Sequence, residues 1–342
     1  MLFIVIFFTF TMSNLMSLYG NQNASTFLPP QDVNYSIESL TRDVYVKPLH
    51  SHNDYWRKRP LFDALSVGCQ SVESDIWLFP KEYQVERNVG NGSQVVTFSD
   101  TEIYVGHNQV FLDPSNTLNN LYLDPLFDFL SFSNPTFTYS DNSPGSPYLD
   151  GTDKHGIYWN SPETPLYFWM DFKTDANQTY DFVKPLIRRF IDNDLLAYYD
   201  ADEDKFVPGP VVITITGNLP IEKVKAETKR YLFLDAPLSS FVNSTDNKEL
   251  AKWSSLSAVA SGSLKDILGN DYPSSRYNEF DENQRAKLKA TFDNAHKYNL
   301  KTRVWGDIVW PNSLLNSHLR DFYGLGSDLL NVDNLKSASE LL

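Results

Sequence analysis

Short apolar runs recur along the chain, and most of them stop on polar or charged residues. Nine read as strands: Tyr45–His50, Ser71–Trp77, Ile103–His107, Leu166–Phe172, Val211–Thr216, Tyr231–Asp235, Leu256–Ala260, Thr302–Trp305 and Leu329–Val332. Between them lie helical patterns at Leu61–Leu65, Asp124–Phe132 (Pro125 at its first position), Thr179–Asn193, Ile221–Arg230 and Glu282–Tyr298. Several strands, VVITI above all, are near-continuous apolar runs, the pattern of a parallel sheet covered on both faces. Repeated β–α units over 342 residues point to an α/β fold of the (β/α)8 TIM-barrel class ahead of a doubly wound sheet. Nine candidates for eight positions leave one surplus strand, expected within 231–260.

Two insertions interrupt this rhythm. Phe79–Thr101 has no helical period but contains Asn91-Gly92, a strong hairpin signal, so a β-hairpin is expected between strands 2 and 3. Asn134–Pro165 is rich in Pro, Gly, Ser, Asn and Asp and reads as a long irregular loop on the face away from the strands' carboxyl ends. No internal repeat or second domain is visible. Leu121–Tyr139 carries six aromatics and is read as a barrel-facing helix with its loop rather than a membrane-docking surface.

Composition narrows the setting. The net charge of −14 argues against nucleic acid as a partner and is compatible with a bound divalent cation. Leu2–Phe10 is an apolar run of signal-peptide length, with no charge before Asp32. Residues 1–20 are therefore expected to be a signal peptide or signal anchor, 21–40 a linker, and 41–342 the barrel. Sequons at Asn23, Asn34, Asn91, Asn177 and Asn243 agree with a secreted, glycosylated product of the secretory pathway. The single cysteine, Cys69, reads as a buried small hydrophobe.

The chemistry lies at the strand ends. His50 and His52 are two apart, and so are Glu73 and Asp75, so each pair shares one face of its strand. Alone they fit a solvated edge as well as a site. The third strand then ends in His107, the fourth in Asp171 and Lys173, and later ones in Trp305 with Asp307 and Asn331 with Asp333. Active sites of barrels form at these carboxyl ends, and a solvated edge would not repeat the pattern. Carboxylates without thiolates suit a hard, oxygen-liganded cation such as Mg²⁺ or Ca²⁺. Two histidines beside it suit a general acid and base, and Lys173 suits charge stabilisation. Together these groups describe phosphodiester cleavage.

His52-Asn53-Asp54-Tyr55, Glu73-Ser74-Asp75, Gly106-His107 and Asp171-Phe172-Lys173 resemble the phospholipase C-like phosphodiesterase superfamily, with its glycerophosphodiester phosphodiesterase and sphingomyelinase D types. The interval from His52 to Glu73, 73 − 52 = 21, is similar to theirs, and DFKT at 171–174 is most similar to the sphingomyelinase D pattern. RVWGD at 303–307 and the segment 324–334 resemble the superfamily's last two strands. HSHNDYWR, SVESDIWL and the leader together resemble the fungal altered inheritance of mitochondria protein 6 family. The resemblance implies metal ligation by Glu73, Asp75 and Asp171, acid–base roles for His52 and His107, and a phosphate-side cation in Lys173. Asn53 matches a metal ligand of the calcium-dependent phosphoinositide enzymes. The Arg-Gly that follows the first histidine in glycerophosphodiesterases is Asn53-Asp54 here, so Arg57 or Arg59 would replace its arginine only if the loop folds back. His50 receives no role.

Three rivals remain. His50-x-His52 also begins the metal site of amidohydrolases, but their later histidines have no counterpart in VVITITG or YLFLDAP. A glycoside hydrolase would use two carboxylates and leave His52, His107 and Lys173 idle. A catalytically inactive barrel acting as a binding protein would keep the fold and the metal. Tyr55-Trp56 fits the floor of a pocket or plain packing, and Arg57-Lys58-Arg59 a solvated loop or an anion-attracting overhang. The expected partner is a small-molecule or lipid phosphodiester, with transient membrane-surface contact left open and a monomer expected.

Overall fold

The computed structural model describes residues 37–90, 92–135, 154–242 and 248–342. The leader, most of the linker, the sequons at Asn23, Asn34, Asn91 and Asn243, and the centre of the 134–165 loop lie outside them. In chain order the strands are β1 Lys47–Ser51, β2 Cys69–Leu78, β3 Tyr83–Val89, β4 Gly92–Phe98, β5 Ile103–Val105, β6 Leu166–Phe172, β7 Tyr198–Asp200 and β8 Lys205–Val207. There follow β9 Val211–Gly217, β10 Lys229–Arg230, β11 Leu232–Leu234, β12 Ala236–Pro237, β13 Val259–Ser263, β14 Lys301–Trp305 and β15 Leu329–Val332.

Nine parallel segments follow one another in the order β11-β9-β6-β2-β1-β15-β14-β13-β12. The two ends of this path, β11 and β12, are separated by one residue, Asp235. The chain pairs with β9 before it and with β13 after it, and so draws the edges together into a nearly closed barrel. Taken as one interrupted strand, β11–β12 fills the eighth position.

The surplus strand is therefore not in 231–260, as the apolar pattern suggested. It is β5, which runs antiparallel beside the end of β2, with Ile76 facing Val105 and Leu78 facing Ile103. An apolar run predicts a strand but not its direction. The hairpin β3–β4 lies between β2 and β5 as expected. Gly92 already pairs with Val89, so the reversal begins at Gly90 (φ +62°), one position before Asn91-Gly92.

Helices cover the outside. Asp124–Ser133 carries Pro125 in its first turn and buries Leu126, Phe129 and Leu130; of the aromatic stretch Tyr122 and Phe129 are buried, while Phe132 is exposed. Glu282–His296 opens with a capping box between Asp281 and Gln284, and Asn312–Leu325 ends on Gly326 at φ +99°. Thr179–Asn193 proves to be two helices, Ala176–Leu186 and Arg188–Asp192. The Ile221–Arg230 helix stops at Lys225, and β10 instead joins β7 and β8 in a small antiparallel sheet that the apolar pattern did not announce. Asn177 is exposed, in the first turn of a helix rather than in a loop.

Alternation splits the core. Val72 and Ile76 of β2 belong to the main cluster packed under the helices, whereas Trp169, Val212, Phe233, Val259 and Leu329 form a second cluster inside the barrel. The polar residues of the strands lie towards the carboxyl end, the end the sequence placed the site.

Candidate active site and metal centre

Parallel register puts Asp75 of β2 directly beside Asp171 of β6, with Glu73 two residues earlier on the same face as Asp75. One oxygen from each of Glu73, Asp75 and Asp171 can be chosen so that all three lie within 4.8 Å of one another. That spacing matches three oxygens around one hard cation, each about 2.4 Å from it. The donor set contains only carboxylate oxygen, as expected for Mg²⁺ or Ca²⁺. Glu73 and Asp75 are buried. Burial and the charge of Asp171 push the Asp75 carboxyl up to about 6, against the pull of Lys173. Gly217, at φ +72°, makes room for the cluster: a Cβ there would stand 2.1 Å from Asp171 Oδ1.

Glu73 behaves differently. Burial alone would raise its carboxyl, but Arg303 and His50 outweigh it and hold the group well below the usual range. Arg303 Nη2 donates to Glu73 Oε2 at 3.2 Å and to Asn331 Oδ1 at 2.6 Å, and the guanidinium lies 4.8 Å from the Trp169 ring centre. Lys173 Nζ spans Asp171 Oδ2 at 2.6 Å and Asp75 Oδ2 at 3.1 Å. Burial would lower its ammonium, yet the two carboxylates carry the net shift upward.

The histidines divide into one buried and two open. His50 is fully buried, and its pKa falls to about 3 through burial and the nearby Arg303 charge. The neutral ring donates from Nε2 to Glu73 (3.2 Å) and accepts at Nδ1 from the Ser71 hydroxyl (2.7 Å), so it props the Glu73 carboxylate. His52 donates from Nδ1 to Asp333 Oδ1 at 2.8 Å, and its Nε2 accepts from Asn53 Nδ2 at 3.2 Å while lying 4.0 Å from Glu73 Oε2. His107 stands on the other flank, with Nδ1 3.3 Å from Asp75 Oδ2. The Tyr55 hydroxyl lies against Asp75 Oδ2 at 2.8 Å, His107 Nδ1 at 3.3 Å and Asn53 Oδ1. Asn53 (φ +48°) thus reaches the cluster's edge through Tyr55.

A cleft of about 490 Å³ opens from His52, Glu73 and Asp171 across Thr216, Asp235, Ser261 and Ser263 to Trp305. Asp235 sits in its wall, accepting from Ser261 N (2.9 Å), Ser261 Oγ (2.5 Å) and Thr216 Oγ1 (3.0 Å).

A family model described as "AIM6-like phosphodiesterase domain" matches residues 38–99 and 90–235. Altered inheritance of mitochondria protein 6 of Saccharomyces cerevisiae is 35% identical over 328 residues, covering 91% of this chain and 74% of its own length. The chain belongs to this family. Proteins of the same name from Candida glabrata and Lachancea thermotolerans are each 34% identical, over 95% and 89% of this chain and 79% and 68% of their own length.

In this family member the sequence-selected residues converge at one mouth, except Asp307, Arg57 and Arg59. Asp307 accepts from His318 Nδ1 at 2.9 Å and from Ile308 N, away from the carboxylates. Arg57 does fold back, but its guanidinium is spent on the backbone carbonyls of His52, Val332 and Asp333, while Arg59 pairs with Asp63. The arginine that lines the cleft is Arg303, which the strand-end rule passed over because it sits in mid-strand. Its signal was available: Arg303 is two residues before Trp305 and shares its face.

Proposed function

We propose that the chain is a metal-dependent phosphoric diester hydrolase with a His/His acid–base pair. The observation that carries this reading is the Glu73, Asp75 and Asp171 cluster flanked by His52 on one side and His107 on the other. Glu73, Asp75 and Asp171 would hold Mg²⁺ or Ca²⁺, with Asn53 at the edge of the set. When bound, the cation supplies Lewis-acid polarisation of the phosphoryl oxygens.

The remaining work falls to side chains. His52, its tautomer held by Asp333, offers Nε2 to the reacting centre, as histidines steadied by a carboxylate do. His107 serves as the opposite proton carrier. Lys173 and Arg303 place positive charge beside the cluster, where a phosphorane-like transition state gathers negative charge. Purified protein should cleave members of a broad diester panel only with Mg²⁺ or Ca²⁺ present. His52→Ala and His107→Ala should each lower turnover by about 10²–10⁴-fold while metal binding by calorimetry persists. Full activity of His52→Ala would sink the mechanism, and inactivity of the wild type on every diester would favour a binding barrel. Export through the secretory pathway and a monomeric state belong to the same proposal.

A further inference from the structure

The mouth of the barrel is lopsided. Three loops leave it on one side: 54–60 after β1, 106–112 beside the end of β2, and 305–312 after β14. Only the short β15 connection at Asp333 separates the first from the third, so they form one arc. This arc holds Trp56, Val110, Phe111, Trp305, Val309 and Trp310 at the surface, with Val110 and Trp310 each 77% exposed, Val309 72% and Phe111 60%. Trp56 and Trp305 bracket the site itself, Trp56 lying 5.1 Å from the His107 ring and Trp305 lining the cleft.

Charge runs the same way. The chain has 43 acidic residues, yet these three loops contain only Asp54, which is buried, and Asp307, which is paired with His318; the β15 connection between them adds Asp333, exposed but paired with His52. Lys58 and Arg59 are exposed beside Trp56. The opposite side of the mouth carries exposed Asp175 and Asp266 and the polar cleft wall of Thr216, Ser261 and Ser263. An acidic protein whose apolar, tryptophan-bearing arc carries only buried or paired carboxylates is fitted to a lipid interface, where aromatic residues partition and cations meet headgroup phosphate.

We propose that this arc docks on a phospholipid surface and that the substrate is a phospholipid phosphodiester entering the cleft from the bilayer. The substrate half of this statement rests on the diesterase reading; the docking half does not. The full chain is mixed with phosphatidylcholine vesicles whose acyl chains carry bromine, which quenches tryptophan on contact. Residues 1–36 contain no tryptophan, so that segment carries no reporter of its own, and a quench lost in the triple variant reports the arc. Wild type should be quenched, and Val110→Asp/Phe111→Asp/Val309→Asp should weaken vesicle affinity by on the order of a hundredfold.

The triple variant should keep its thermal midpoint and its turnover of a soluble glycerophosphodiester while losing turnover of phospholipid in vesicles. Absent quenching, equal quenching of both proteins, or a wild-type dimer that the triple variant dissolves would overturn the docking. Vesicle binding without any diesterase activity would leave the docking standing and remove the catalytic reading.

Discussion

Asp75 and Asp235 stand at the same mouth, the first buried and the second half-buried, both pushed up to about 6, and they mean different things. Burial is the largest cause for each. Asp235 then receives three neutral donors, from Ser261 N, Ser261 Oγ and Thr216 Oγ1, which with the nearby Arg303 charge pull it back down. It is a satisfied group that stitches the barrel's seam where the chain changes partner between β9 and β13. Asp75 faces Asp171 and Glu73, whose charges push it further up, with Lys173 and the Tyr55 hydroxyl opposing them. A carboxylate surrounded by donors is architecture. A carboxylate surrounded by carboxylates is held there at a cost to stability, and a divalent cation would relieve it.

The sharpest way to break this contrast is to neutralise one member of each kind. Asp75→Asn and Asp171→Asn should lower diester turnover by more than the roughly 100-fold that outer-shell changes cost. Both should abolish the rise in melting temperature that Mg²⁺ or Ca²⁺ gives the wild type. Without metal, Asp75→Asn should change stability by less than about 1 kcal/mol, because it removes repulsion along with the Lys173 pair. A metal-induced shift that survives in Asp171→Asn would remove the cluster as the binding site.

The opposite behaviour is expected at the seam. Asp235→Ala strands Ser261 N–H and two hydroxyls in a partly water-shielded wall, and should destabilise the protein by about 2 kcal/mol in chemical denaturation. Its metal-induced shift should match the wild type. If Asp235→Ala loses the metal response instead, the division between architectural and functional carboxylates fails.

The two aspartates also show what a sequence discloses. Glu73 and Asp75, and Asp171 with Lys173, were legible because a two-residue spacing at the end of an apolar run fixes a shared face without knowledge of the fold. Even the later pairs were half legible: Asn331 and Asp333 sit at the site, but as supports for Arg303 and His52 rather than as reactive groups. Asp307 had the same pattern and turned away to His318, a partner brought in by a helix that the apolar pattern did not announce. Asp235 ends an apolar run just as Asp171 does, yet its donors come from strands 19 and 26 residues distant, a relation no local pattern carries. β5 was mistaken for a barrel strand for a related reason, since direction is a property of pairing and not of composition.

The remaining test of the contrast is in pH, read on Asp235. The folded-state pKa of Asp235, about 6, lies above the ordinary 3.8 of the unfolded chain, so folding favours the neutral carboxyl. The contribution of this group to stability is therefore fully present below about pH 4 and lost as the pH rises through about 6. The span amounts to on the order of 2–3 kcal/mol for a shift of about two units. Asp235→Asn keeps the shape and removes the titration. Plotted against pH, its stability relative to wild type should climb between pH 4 and 7 and level off above. Ser261 and Thr216 hydroxyls can turn to accept from the new amide, so the curve should move with little loss of fold. A difference that stays flat across that window would show that Asp235 is ionised throughout, and that its three donors outweigh burial after all.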